Sequence, residues 1–70
     1  MTRVVWERAR HGYTATVGDY LLIVIEPETG VRWTWEVCGI VAWFADSGEA
    51  PDVDAAMREA VRVIESLCHD

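Results

Sequence analysis

Val17-Gly18-Asp19-Tyr20-Leu21-Leu22-Ile23-Val24-Ile25 is the stretch on which the fold turns. A run of aromatic, aliphatic and β-branched residues from Tyr20 to Ile25 follows a Gly-Asp pair, and Gly18-Asp19 has the composition of a two-residue hairpin loop. With that loop closed, Val17 faces Tyr20 and Ala15 faces Leu22. Working outward, turn signals at His11-Gly12, Pro27 to Gly30, Cys38-Gly39 and Asp46 to Pro51 separate further short runs of the same composition. They predict strands near 4–9, 13–17, 20–26, 31–38 and 40–45, the first either separate or continuous with the second through a bulge at Gly12.

The turns also predict a register. A hairpin closed by Pro27 to Gly30 sets Val24 opposite Trp33 and Leu22 opposite Trp35. One closed by Cys38-Gly39 sets Trp35 opposite Ala42 and Trp33 opposite Phe44. All of these pairings put Tyr13, Ala15, Val17, Tyr20, Leu22, Val24, Trp33, Trp35, Val37, Ile40, Ala42 and Phe44 on one face, and every member is apolar or aromatic. A one-residue slip would scramble the set.

The element that covers this face is a helix over 52–68. Val53, Met57, Ala60, Ile64 and Leu67 recur at helical steps, with Arg58, Arg62, Glu65 and Ser66 on the other side. Asp52 is placed to cap it, after Pro51, and Asp54 lies in the first turn, where the positive helix end favours a carboxylate. The fold class is therefore α+β: a single domain over 1–70, an antiparallel β-meander of about four strands packed on one C-terminal α-helix. One helix covers one face only. The other carries Thr14, Thr16, Leu21, Ile23, Ile25, Arg32, Thr34, Glu36, Cys38, Val41, Trp43 and Ala45, polar at its margins and apolar across Ile23, Thr34 and Trp43, with Leu21, Glu36 and Val41 as the next row. Either strand 4–9 folds over this patch or a second molecule does.

Charge bears on the choice of partner. Twelve carboxylates against six arginines, with no lysine, give a net charge of −6. Glu26, Glu28, Glu36, Asp46, Glu49, Asp52 and Asp54 lie between residues 26 and 54 against Arg32 alone. The remaining carboxylates, Glu7, Asp19, Glu59, Glu65 and Asp70, are matched one for one by Arg3, Arg8, Arg10, Arg58 and Arg62. A surface of this sign is repelled by phosphate backbones, which excludes direct nucleic-acid binding and favours a basic protein surface. Longest of the apolar runs, Tyr20 to Ile25 is far below the ~20 residues of a membrane span, and the N-terminus has no signal-peptide pattern, so the expected location is the cytoplasm.

Catalytic and metal chemistry find little support in the pattern. Cys38 and Cys68 are too isolated for a disulfide framework and read as free buried thiols in a reducing compartment. Cys68-His69-Asp70 lacks the paired spacing of a zinc site, and neighbouring helix residues point in different directions, against a Cys–His nucleophile pair. His11 reads as a turn residue. The glycines stand singly at turns and form no phosphate-binding loop. Glu36, on the partly apolar outer face, is the one carboxylate placed to be desolvated. No catalytic residue, metal ligand or cofactor is assigned. Trp33 and Trp35 belong by parity to the core, whereas Trp43 points outward, either as an interface anchor or beneath the N-terminal segment.

Tyr13-Thr14-Ala15, Tyr20-Leu21-Leu22, Trp33-Thr34-Trp35 and the helix over 55–65 carry a resemblance. An antiparallel meander with a Trp-x-Trp strand and one terminal helix resembles short phage and prophage proteins of GC-rich bacteria, some of which are anti-CRISPR inhibitors of type I interference complexes. The resemblance is one of architecture and charge, and no functional residue is carried over by position. It implies a non-enzymatic inhibitor that blocks a basic nucleic-acid-binding site with a DNA-like acidic surface. Glu26, Glu28, Glu36, Asp46, Glu49, Asp52 and Asp54 would then meet basic residues, with Ile23 and Trp43 as apolar anchors. The alternative is a homodimeric structural or accessory module joined through the outer sheet face.

Overall fold

The computed structural model describes residues 3–28, 30–40 and 45–67. Five strands, β1 (Glu7–Ala9), β2 (Gly12–Val17), β3 (Tyr20–Ile25), β4 (Trp33–Gly39) and β5 (Ala45–Ala50), precede one helix, α1 (Val53–Leu67). The strands form one antiparallel sheet in the order β1-β2-β3-β4-β5, with α1 packed on β3, β4 and β5. This is the α+β meander the sequence predicts, with five strands in place of about four.

The β2–β3 hairpin follows the two-residue loop. Val17 pairs with Tyr20 and Ala15 with Leu22. Gly18 has φ +58°, and among the described residues none other than glycine has a positive φ, the signs of a type II′ turn, whose twist suits the flanking strands. Upstream there is no bulge at Gly12. The chain reverses through Arg10 and His11, and Ala9 pairs with Gly12 across a separate hairpin. On this edge Arg8 lies over the Tyr13 ring, 5.2 Å from its centroid, and donates to the Tyr13 hydroxyl at 3.2 Å.

Between β3 and β4 the connection runs over residues 26–32, longer than a turn closed at Pro27 to Gly30. Val24 therefore pairs with Trp35 and Leu22 with Val37, two residues from the expected register. A shift of two leaves every side chain on its face. Ala15, Leu22, Val24, Trp35 and Val37 are buried beneath the helix, as their parity requires.

The last strand departs from expectation. It lies at Ala45–Ala50, not 40–45: Ile40 sits in an exposed bend, and 41–44 fall outside the described residues. Trp35 faces Gly48 and Trp33 faces Ala50, in place of Ala42 and Phe44. Asp46, Ser47 and Gly48 carry the chemistry of a turn, so propensity alone reads them as one. They are a strand by their ladder to β4, and the Trp35 indole sits across it beside Gly48. A Cβ built on Gly48 would stand 2.7 Å from Cζ2 of Trp35, so the ring fills the space a side chain would need. Trp35 is 7% exposed in that slot.

Asp52 caps α1. Its Oδ1 accepts from the Ala55 amide at 2.8 Å and its carbonyl from the Ala56 amide at 3.0 Å. The buried stripe is Ala56, Ala60 and Ile64: Ala60 and Ile64 belong to the expected set Val53, Met57, Ala60, Ile64 and Leu67, and Ala56 joins them in place of full burial of Met57. Val53 and Met57 flank the core, and Leu67 is exposed. Ala56 and Ala60 bring the helix close to the sheet, and Ile64 fills the core at 0% exposure. The segment before β1 settles on this same side. Val4 and Trp6 pack against the core and line a groove with Met57, Val61 and Glu65 of the helix.

The Gly48–Trp35 slot predicts an inversion of strand propensity. Alanine is ordinarily a better strand residue than glycine, yet Gly48→Ala should destabilise the fold by ~1–3 kcal/mol, the usual cost of overpacking. Urea unfolding in wild-type and Trp35→Phe backgrounds checks this. The smaller ring should remove most of the loss, and an equal loss in both backgrounds would rule out the steric account.

Candidate functional site

The candidate site grows from β3, the middle strand of the sheet. Tyr20, Leu22 and Val24 point to the helix; Leu21, Ile23 and Ile25 point away from it. The outward three are half-buried to exposed, Ile25 at 37%. Their neighbours follow from the ladder. Leu21 lies between Thr16 and Cys38, and Ile25 between Gly12 and Thr34. The row through Ile23 runs Glu7, Thr14, Ile23, Glu36, Ser47 from β1 to β5. This row replaces the expected alignment of Ile23 with Thr34 and of Leu21 with Glu36. No described secondary-structure element packs on this face. The N-terminal segment, one of the two expected covers, lies on the helix side.

Beyond Ile25 the surface continues into a shallow depression of about 450 Å³. Ile25, Val31 and Thr34 supply its apolar part; Glu26, Glu28, Arg32 and Glu49 border it. Val31, read from sequence as the start of a strand, is instead a loop residue 80% exposed. Its contribution was legible only as an apolar residue beside a glycine turn. Arg32 reaches Glu49 at 3.3 Å, so the single cation of the acidic stretch is held by one of its carboxylates. Glu26 lies 3.8 Å from Nδ1 of His11, while its amide donates to the His11 carbonyl at 2.8 Å, which ties the β1–β2 turn to the end of β3.

The seven carboxylates of the 26–54 stretch do not form one surface. Glu36 and Glu49 stand on the outer face, and Glu26 and Glu28 follow β3 at its end. Asp46 lies opposite Val37 and lines a depression with Trp35, Glu59 and Arg62 on the helix side. Its Oδ1 accepts from the Ser47 amide at 2.9 Å. Asp52 is the helix cap and Asp54 sits in the first turn. Glu28, Glu36 and Asp54 have no hydrogen-bond or ion-pair partner among the described residues. Trp43, the second apolar anchor expected from sequence, and Cys68 lie outside the described residues. Cys38 is a free thiol, half-buried on the outer face rather than enclosed in the core.

Among the described residues, no group of three or more His, Cys, Asp and Glu side chains converges as a metal site would require. None of their helices is long and apolar enough to cross a membrane.

The structural share of the carboxylates can be measured. Asp52→Ala should cost ~1 kcal/mol through loss of the cap, whereas Glu36→Ala and Glu28→Ala, at side chains with no partner among the described residues, should fall within ~0.5 kcal/mol of wild type. Thermal unfolding of the three variants separates the two classes, and an unchanged Asp52→Ala would remove the capping role. Comparison of the chain with protein-family models, with curated proteins and with solved structures finds no match in any of the three.

Proposed function

We propose that this protein is a non-enzymatic binding module that docks its outer sheet face onto a basic protein surface. The observation that supports this most directly is the row Leu21, Ile23 and Ile25, half-buried to exposed on the central strand with no described element packed over it, and bordered by Glu26, Glu28, Glu36 and Glu49. An apolar centre within an acidic border matches the anatomy of an interface for a basic partner. The resemblance to small acidic phage proteins adds the biological reading: a cytoplasmic, phage-type inhibitor of the anti-CRISPR kind. Its target would be a basic site where a type I interference complex holds nucleic acid. Apolar contact carries affinity in this mode, and the carboxylates carry attraction and orientation.

The same face favours a second reading, a homodimer. An isologous contact would set Ile23 and its neighbours against their own copies, but it would also bring each acidic border against the other. Like charges held face to face cost several kcal/mol, so the balance favours a basic partner.

Two measurements decide. The triple variant Glu28→Lys, Glu36→Lys, Glu49→Lys should stay folded and lose inhibition of an interference complex by about a hundredfold or more, given that cost per misplaced charge. Full inhibition by the triple variant would end the electrostatic reading. Sedimentation of wild type should give the 7.9 kDa monomer. A stable dimer that Ile23→Glu dissociates would put the homodimer in its place.

A further inference from the structure

We infer that the occupant of the outer face is a single basic amphipathic α-helix of two to three turns. This rests on the reading of that face as a docking surface and names the shape of the partner element.

The first ground is the central strand. Tyr20 to Ile25 is apolar at every position, and strands with such unbroken runs are those buried on both faces. In β3 only one face is closed: Leu22 and Val24 are fully buried, while Leu21, Ile23 and Ile25 are not. The strand is built as the middle layer of three.

The second ground is the width of the apolar stripe. Adjacent strands stand ~4.8 Å apart, and at that distance Leu21, Ile23 and Ile25 meet mainly polar neighbours, Thr14 and Thr16 on β2 and Thr34 and Glu36 on β4. The stripe is one strand wide and, from Leu21 to Ile25, about 14 Å long. A facing sheet needs apolar residues on several strands at once. A helix presents one narrow stripe, and 14 Å of it is about two and a half turns. The other face of this sheet also takes a helix, α1, which packs across β3, β4 and β5 through Ala56, Ala60 and Ile64.

Charge sets the flanks. Along the row through Ile23, Glu36 is adjacent on one side and Glu7 lies two strands away on the other. Glu26, Glu28 and Glu49 close the end beyond Ile25. A helix laid along β3 would therefore carry arginine or lysine on both flanks, most densely on the side of β4 and toward the end of β3.

Selection of a displayed library of random 16-residue peptides on the immobilised full chain tests this, with Ile23→Glu and Glu36→Lys as counter-targets whose folding is checked by circular dichroism. The enriched peptides should share apolar residues at i, i+3 or i+4 and i+7 with flanking Arg or Lys, and should gain helicity on binding. Each variant should weaken the best of them at least tenfold. Enriched peptides that alternate with period two or bind extended, yet are still lost in Ile23→Glu, would overturn the helix and leave the docking face standing. No enrichment, or enrichment indifferent to both variants, would overturn the two together.

Discussion

The indole of Trp35 occupies the space that a side chain at position 48 would need, and much of the structure depends on that substitution of a ring for a residue. It holds β5 in register against β4, although Asp46, Ser47 and Gly48 have little intrinsic preference for a strand. With β5 in place, Ala50 is buried, Pro51 turns the chain, and Asp52 stands where it can cap the helix. The cap starts α1 at Val53, and the phase of Ala56, Ala60 and Ile64 over the sheet follows. A chain of 70 residues has room for one core, and this core is assembled around the Trp35 ring, packed beside Gly48 with four alanines and the four aliphatic side chains Leu22, Val24, Val37 and Ile64.

That economy has a geometric corollary. A single helix closes one face of a five-stranded sheet, and the N-terminal segment joins it on the same side. The opposite face keeps the outward half of β3, three aliphatic residues in a row, between threonines and carboxylates. The acidity of the chain is shared between two tasks. Asp46 and Asp52 hold backbone amides, while Glu28 and Glu36 are engaged by no described group. A continuous row of carboxylates along one surface is not how the charge is arranged. The outer face instead mixes the three aliphatic residues of β3 with Glu36 and Glu49.

Most of this was legible from residue order. Gly18-Asp19 specified its hairpin, and the alternation through Tyr13–Val17 and Trp33–Val37 assigned those residues to the correct faces even though the β3–β4 register lay two positions away, because sides alternate with period two. Asp52 announced the helix by its chemistry. The strand at 45–50 was not legible, because its residues are turn formers whose extended state depends on Trp35 ten to fifteen positions earlier in the chain. In the helix stripe Ala60 and Ile64 were legible and Ala56 was not, since Met57 is the more hydrophobic residue but Ala56 is the one fully buried. In the candidate site, Glu36 and Ile23 were placed together on the outer face by parity alone. That Asp46 lies on the opposite side and that Arg32 is held by Glu49 depended on the same misplaced strand.

The strand that sequence reading missed also separates two kinds of evolutionary freedom. On β5, Gly48 and Ala50 face the core and tolerate almost nothing larger, whereas Ala45, Ser47 and Glu49 face outward and are exposed. Mutation at the outward positions would recolour the margin of the outer face without touching the packing beneath it. Such a strand separates the residues that set the surface from those that set the fold, although the two kinds alternate along six consecutive positions.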